Sequence, residues 1–292
     1  NVLWLLDGVT ANMDSLIKKT HFMTEKKELN LGDMLLKYGV RINTDLIQDL
    51  RAGKIGLKKP KKYFPWLYYP LLFSDSEHPI VKGLDAIKCE FVSSIDTIKN
   101  GIKKSVLLHS SKNARVKPNP ERVSLGILEN PPKSSYFNQP NIPIAVLLEG
   151  NFQSVFKNRR ILPKNNSFDF KESGDNAKMI VVSDGDVIRN NFSEERGIPT
   201  PKRLGYDRNK EGPFINEGNK TFIMNAMHYL CGNNQDLLLS PLKTKELKLR
   251  LLDKEKVHKY KLYIQLLNLL LPIVIIIIFG LLFTYTKKKK YA

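Results

Sequence analysis

The chain has 292 residues, with 47 Lys and Arg against 29 Asp and Glu, a net charge of +18. Its 42% hydrophobic and 26% charged content describes a folded polypeptide and excludes a disordered tract. Lysine outnumbers arginine along the whole length, and no RRM, helix-turn-helix or paired-cysteine pattern accompanies the charge, so no nucleic-acid partner is expected. Solvated surface charge is the plain reading; attraction to anionic lipid headgroups, about 1 kcal/mol per nearby Lys, is the other.

The sequence opens at Asn1 without an initiator Met or signal peptide and enters an apolar run at once, so we read it as the C-terminal part of a longer protein. Val2–Leu6 is the first expected strand, ending at Asp7-Gly8. Asn30 is placed to cap a helix in which Leu31, Met34, Leu35 and Tyr38 share a face, with Gly39 as the left-handed exit. Leu46, Ile47 and Leu50 indicate a shorter helix before Gly53. Tyr63–Phe73 (YFPWLYYPLLF) carries two prolines, which rule out a regular helix and favour an edge strand or packed extended segment. Core packing explains its aromatic content; a docking surface is the alternative.

Further strands are expected at Val106–Leu108, which ends at His109, at Ile144–Leu148, which ends at Glu149-Gly150, and at Met179–Val182, which ends at Ser183-Asp184-Gly185-Asp186. Continuous apolar runs bounded by turn residues suit a sheet covered on both faces, as in parallel α/β proteins. Asn219 is placed to cap a last helix of this region, with Phe222, Ile223, Ala226, Met227 and Leu230 on one face and Gly232 beyond its end. Residues 112–120, 130–143, 163–175 and 197–212 read as loops. The expected fold is therefore α/β, with a mostly parallel sheet flanked by helices.

Leu266 to Thr286 contains no charged residue and stops at Lys287-Lys288-Lys289-Lys290. At about 1.5 Å per residue such a stretch crosses a hydrocarbon layer of roughly 30 Å. Tyr263 and Tyr285 lie near its ends, where amphipathic rings favour headgroups, and Pro272 is better tolerated in a membrane helix than in a soluble one. A buried core helix is the other reading. Lysines flank both ends, so the positive-inside rule nearly ties and leans towards a cytoplasmic tail.

Asp7, His109, Glu149, Asp184 and Asp186 are the candidate ligand-binding residues. Ligands in open α/β sheets bind beyond the carboxyl ends of strands, and carboxylates gathered there would suit a hard cation or a hydroxyl-rich molecule. Ordinary turn chemistry accounts for the same residues, and no metal or cofactor is assigned. Catalysis lacks its parts. No G-x-S-x-G or G-x-C-x-G elbow, H-E-x-x-H pair or G-x-x-x-x-G-K-[ST] phosphate loop occurs. Cys89 (in IKCEF) and Cys231 (in YLCGN) read as packing residues, and they form neither a disulfide framework nor a metal site.

Several strings carry a family resemblance: KYGVRIN (37–43), DTIKNGIKKSVLLHSS (96–111), AVLLEGNFQSVFKNR (145–159), KMIVVSDGDVI (178–188), GNKTFIMNAMHYL (218–230) and LRLLDKEKV (249–257), with the closing anchor and basic tail. Together they resemble the gliding-motility-associated ABC transporter substrate-binding-like subunit, over nearly the whole chain. The resemblance implies a non-enzymatic auxiliary subunit beside a separate ABC ATPase and a separate permease. It also implies a glutamine-amidotransferase-like α/β domain without the catalytic Cys. The expected layout is an extracytoplasmic domain over 1–236, truncated at its N-terminus, a connector over 237–261, a transmembrane helix over 262–286 and a cytoplasmic tail over 287–292. The cytoplasmic membrane is the expected location, with membrane lipid as a further partner. The family's N-terminal half, with its first membrane segment, is missing here, and the Lys, Asn and Ile bias suggests an AT-rich genome whose owner need not glide. A free-standing anchored receptor for a glycan or peptide, and a degenerate amidotransferase-like hydrolase, are the alternatives.

Overall fold

The computed structural model describes residues 1–57, 62–157, 170–190, 192–195, 198–204, 206–209, 212–215, 217–232 and 254–291. The chain divides into two compact units, Asn1–Lys245 and Glu246–Ala292.

In the first unit the four expected apolar strands all form and become neighbours. They are β1 (Val2–Leu5), β2 (Lys103–His109), β3 (Pro143–Gln153) and β4 (Ser173–Val182), in the spatial order β1-β4-β3-β2. Their directions differ from expectation. Only β1 and β4 run parallel; β4 with β3 and β3 with β2 are antiparallel. The remaining sheets among the described residues have two or three strands and are antiparallel throughout. Among the described residues strand outweighs helix. The mostly parallel, glutamine-amidotransferase-like α/β sheet is therefore replaced by a mainly antiparallel β fold.

The physical reason lies in what an apolar run reports. Successive side chains of a strand point to opposite faces. Ala145 and Leu147 of β3 enter one core cluster, Val146 and Leu148 the other, and all four are fully buried. Ile180 and Val182 of β4 follow the first pair, Met179 and Val181 the second. The uninterrupted runs thus signal burial on both faces and carry no information about direction. A parallel connection also needs a crossover, usually a helix. Between β3 and β4 the described residues contain none.

After the single-turn helix α1 (Asp14–Lys18), two helices supply the covers. On α2 (Gly32–Tyr38), Leu35 and Tyr38 pack with Leu31 and Met34 against the second cluster, and Gly39 exits at φ 86°. Tyr38 meets Phe152 of β3 edge-on, 5.1 Å between ring centroids. Leu31 takes the N-cap position without a side-chain cap bond, and Asn30 sits before it at φ 55°, so the expected Asn30 cap is corrected. On α3 (Gly218–Cys231), Phe222, Ile223, Ala226 and Leu230 pack into the first cluster, and Gly232 follows at φ 85°. Met227 is 46% exposed, and Asn219 lies inside the helix rather than at its cap. Its buried amide donates to the Lys88 and Val187 carbonyls at 2.7 and 3.0 Å and accepts from Lys88 N at 2.8 Å. Those bonds tie α3 to the rest of the domain.

The helix expected at Leu46–Leu50 is instead the strand Asp45–Asp49, with all five residues buried. Short apolar runs do not separate the two periods. Its partner is Ala114–Pro118, inside the stretch expected to be loop. Residues 197–212 likewise hold the strands Ile198–Pro201 and Tyr206–Asn209. The aromatic segment forms strand Lys62–Leu72, central between Ala52–Leu57 and Ile87–Lys88 rather than an edge. Pro65 and Pro70 flank the register shift in that pairing, where their missing N–H groups are tolerated. Trp66, Tyr68 and Leu72 are at most 1% exposed, which settles the segment as core.

The second unit contains α4 (Lys254–Tyr291). Its portion Tyr260–Lys287, 28 residues, is long and apolar enough to cross a membrane, and none of its apolar window is buried. At about 1.5 Å per residue it measures roughly 42 Å. Within it the Thr284 and Thr286 hydroxyls donate to the Gly280 and Leu282 carbonyls at 2.6 and 2.9 Å. Such internal pairing is what a polar group needs in hydrocarbon. Most of the expected connector, up to residue 253, lies outside the described residues.

Candidate functional site

The parallel pairing of β1 and β4 sets Leu5 opposite Val182, so the residues that follow the two strands emerge side by side. Asp7 and the turn Ser183-Asp184-Gly185-Asp186 meet there. Asp7 accepts from Gly185 N at 2.6 Å and from Lys27 Nζ at 2.8 Å. A Cβ on Gly185 would lie 3.1 and 3.2 Å from the two Asp7 oxygens, so glycine is what permits this approach. Asp184 is fully buried and accepts from Glu90 N at 2.8 Å and Asp186 N at 2.6 Å. Arg189 closes the rim, 2.9 Å from Glu90 and 3.0 Å from Asp186, and Lys88 lies 3.5 Å from Glu90.

Burial dominates the electrostatics. It pushes Asp184 up to about 8 against the pull of its two backbone donors. It raises Asp186 to about 6, opposed by Arg189 and assisted by Glu90 and Asp7. Burial works against the Arg189 charge, but Asp186 and Glu90 outweigh it and the guanidinium pKa is raised. With Asp184 protonated at neutral pH, three carboxylates (Asp7, Glu90, Asp186) face three cations (Lys27, Lys88, Arg189). The rim is a closed ionic network. No group of three or more His, Cys, Asp or Glu among the described residues is arranged to hold a metal ion.

Cys89 lies against Asp184, fully buried, and burial followed by the Asp184 charge drives its thiol pKa well above the usual value. A thiol held protonated is a poor nucleophile. Cys231 is exposed, not packed as its sequence suggested.

The other two candidates lie elsewhere. His109 ends β2 opposite Pro143, at the same edge of the sheet as Val182 of β4 but with β3 between them. Its Nδ1 donates to the Ser110 carbonyl at 2.7 Å, and Nε2 is 3.7 Å from Asp75. Glu149 stands opposite Lys178 in the middle of β4, away from the edge where Asp184 lies. It accepts the Tyr229 hydroxyl at 2.5 Å and lies 3.4 Å from Lys103. The Lys178 ammonium sits 3.8 Å over the Tyr229 ring, and His78 meets that ring edge-on at 4.9 Å. Of the five candidates the structure brings together Asp7, Asp184 and Asp186. Lys27, Glu90 and Arg189 were missed; the Asp186/Arg189 spacing of three was a usable signal.

Beside the network lies a cleft of about 340 Å³, which shares Lys27 with it. Leu29, Leu31, Leu35 and Ile42 form its apolar wall, and Lys26, Glu28, Asp33 and Arg41 stand around it.

The paired rim, the buried thiol and the open cleft belong to one unit of a chain that also carries a long apolar helix. Residues 1–226 match the family described as an ABC-type uncharacterized transport system, and the chain belongs to that family. It is an auxiliary component of an ABC-type transport system. No match to a curated protein or to a solved structure was found.

Proposed function

We propose that the chain is a non-enzymatic, substrate-binding-like accessory subunit held in the cytoplasmic membrane by α4. It works beside a separate ATPase and a separate permease. Residues 1–236 form the periplasmic domain, 237–261 the connector, 262–286 the span and 287–292 the cytoplasmic tail. The resemblance carried by residues 96–111 and 178–188 extends the reading to a system of cell-envelope export or gliding motility. The observation that carries the proposal is the unburied apolar surface of Tyr260–Lys287 in a member of a transport family. In water that surface is costly, at about 25 cal/mol per Å²; in lipid it is satisfied.

The full chain is expected to stay in the membrane fraction through an alkaline carbonate wash, while a chain ending at Lys245 is released. Protease added outside spheroplasts is expected to digest the domain and spare a tag placed after Ala292. Release of the full chain by carbonate, or a protected domain, contradicts the proposal.

A further inference from the structure

The geometry points to the cleft beside Asp7 as a binding site for a short hydrophobic peptide with both termini free. This deepens the accessory-subunit reading and rests on it for the cellular setting alone. A volume of about 340 Å³ falls within the range of ordinary small-ligand pockets, roughly 300–1,000 Å³. Its apolar lining comes from Leu29, Leu31, Leu35 and Ile42. The same opening is lined by two cations, Lys26 and Arg41, and two carboxylates, Glu28 and Asp33.

Among the described residues these four side chains make no ion pair and no side-chain hydrogen bond with one another or with a neighbour. Asp96 stands opposite Arg41 in the strand pairing but does not reach it as an ion pair. The contrast with Lys27, taken by Asp7, is sharp: the network is closed and the cleft is open on both signs of charge.

Ligand classes sort themselves against this lining. A polyphosphate gains from Lys26 and Arg41 but is repelled by Glu28 and Asp33. A polyamine meets the reverse. A neutral apolar molecule covers the apolar lining but gains nothing from the four charges around it. A zwitterion with an apolar body answers all three parts. Its carboxylate faces Lys26 and Arg41, its ammonium faces Glu28 and Asp33, and its side chains cover Leu31, Leu35 and Ile42.

The test uses the full chain in detergent micelles, with thermal stability followed against dipeptide concentration, since a ligand that binds the folded state alone raises apparent stability. Leu-Leu is expected to raise the melting temperature in a saturable way, and N-acetyl-Leu-Leu-amide to need at least about tenfold more, a difference of about 1.4 kcal/mol. Arg41→Gln should weaken Leu-Leu about tenfold while leaving Leu-Leu-amide unchanged, and Asp33→Asn should do the converse with N-acetyl-Leu-Leu. Equal response to the free and capped peptides, no response to Leu-Leu, or stabilisation by inorganic phosphate in its place overturns the proposal. Silence towards peptides with the transporter partners still bound removes the cleft assignment alone. Peptide binding without those partners removes the accessory reading alone.

Discussion

Asp184→Asn is expected to flatten the pH dependence of folding stability between pH 6 and 8 and to cost about 1–3 kcal/mol at pH 6. The sign follows from the raised pKa. The folded chain keeps the Asp184 proton up to about pH 8, whereas the unfolded chain releases it near 3.8. Folding therefore takes up a proton in between. The contribution of this group is fully present below pH 4, declines as pH rises, and levels off above 8. One proton corresponds to about 1.4 kcal/mol per pH unit, hence about 3 kcal/mol across two units. Asp186, raised to about 6, adds a decline of the same sign below that pH. The amide abolishes the Asp184 titration, but its NH2 group then faces either Glu90 N–H or Asp186 N–H. An unsatisfied buried donor costs about 1–3 kcal/mol. Urea unfolding of both proteins at a series of pH values checks this; parallel curves contradict it.

Phe222→Ala is expected to cost about 3–5 kcal/mol, the usual range for emptying a phenylalanine site in a closed core. Phe222 is fully buried in the core cluster that also holds Ile180 and Val182 of β4 and Ile144 of β3. Alanine at Met227, 46% exposed and five residues further along the same helix, should stay within about 0.5 kcal/mol. Urea midpoints at constant slope report both. A Phe222→Ala loss below 1 kcal/mol would mean that α3 does not seal this side of the sheet.

The pattern of agreement with the sequence has a physical explanation. Ile144–Leu148 and Met179–Val182 announced themselves because burial on both faces leaves no polar residue in the run; Val2–Leu6, at the edge of the sheet, is only half-buried yet equally apolar. Gly39 and Gly232 marked helix ends because a left-handed exit favours glycine. Direction was illegible, since Leu147 opposite Ile180 packs the same residues in either sense. The candidate site inherited that error. Asp7 and Asp184 meet because β1 and β4 are the parallel pair; Glu149 lies mid-strand opposite Lys178, away from that edge, because β3 runs the other way. Asp45–Asp49 failed for another reason: Leu46, Ile47 and Leu50 fit a helical face as well as a strand. The cleft was invisible, because Arg41 and Lys26 reach one opening only through the tertiary fold.

Co-purification is the decisive measurement for a chain that works as an accessory subunit of an ABC-type assembly. The tagged full chain is extracted from intact membranes in a mild detergent, and the proteins that accompany it are identified and quantified by mass spectrometry. An ABC ATPase and a multi-span permease are expected in fixed ratio to the chain, retained in Asp33→Asn and Arg41→Gln and lost when the chain ends at Lys245. Recovery of the chain with neither partner, from membranes in which both are present, contradicts it.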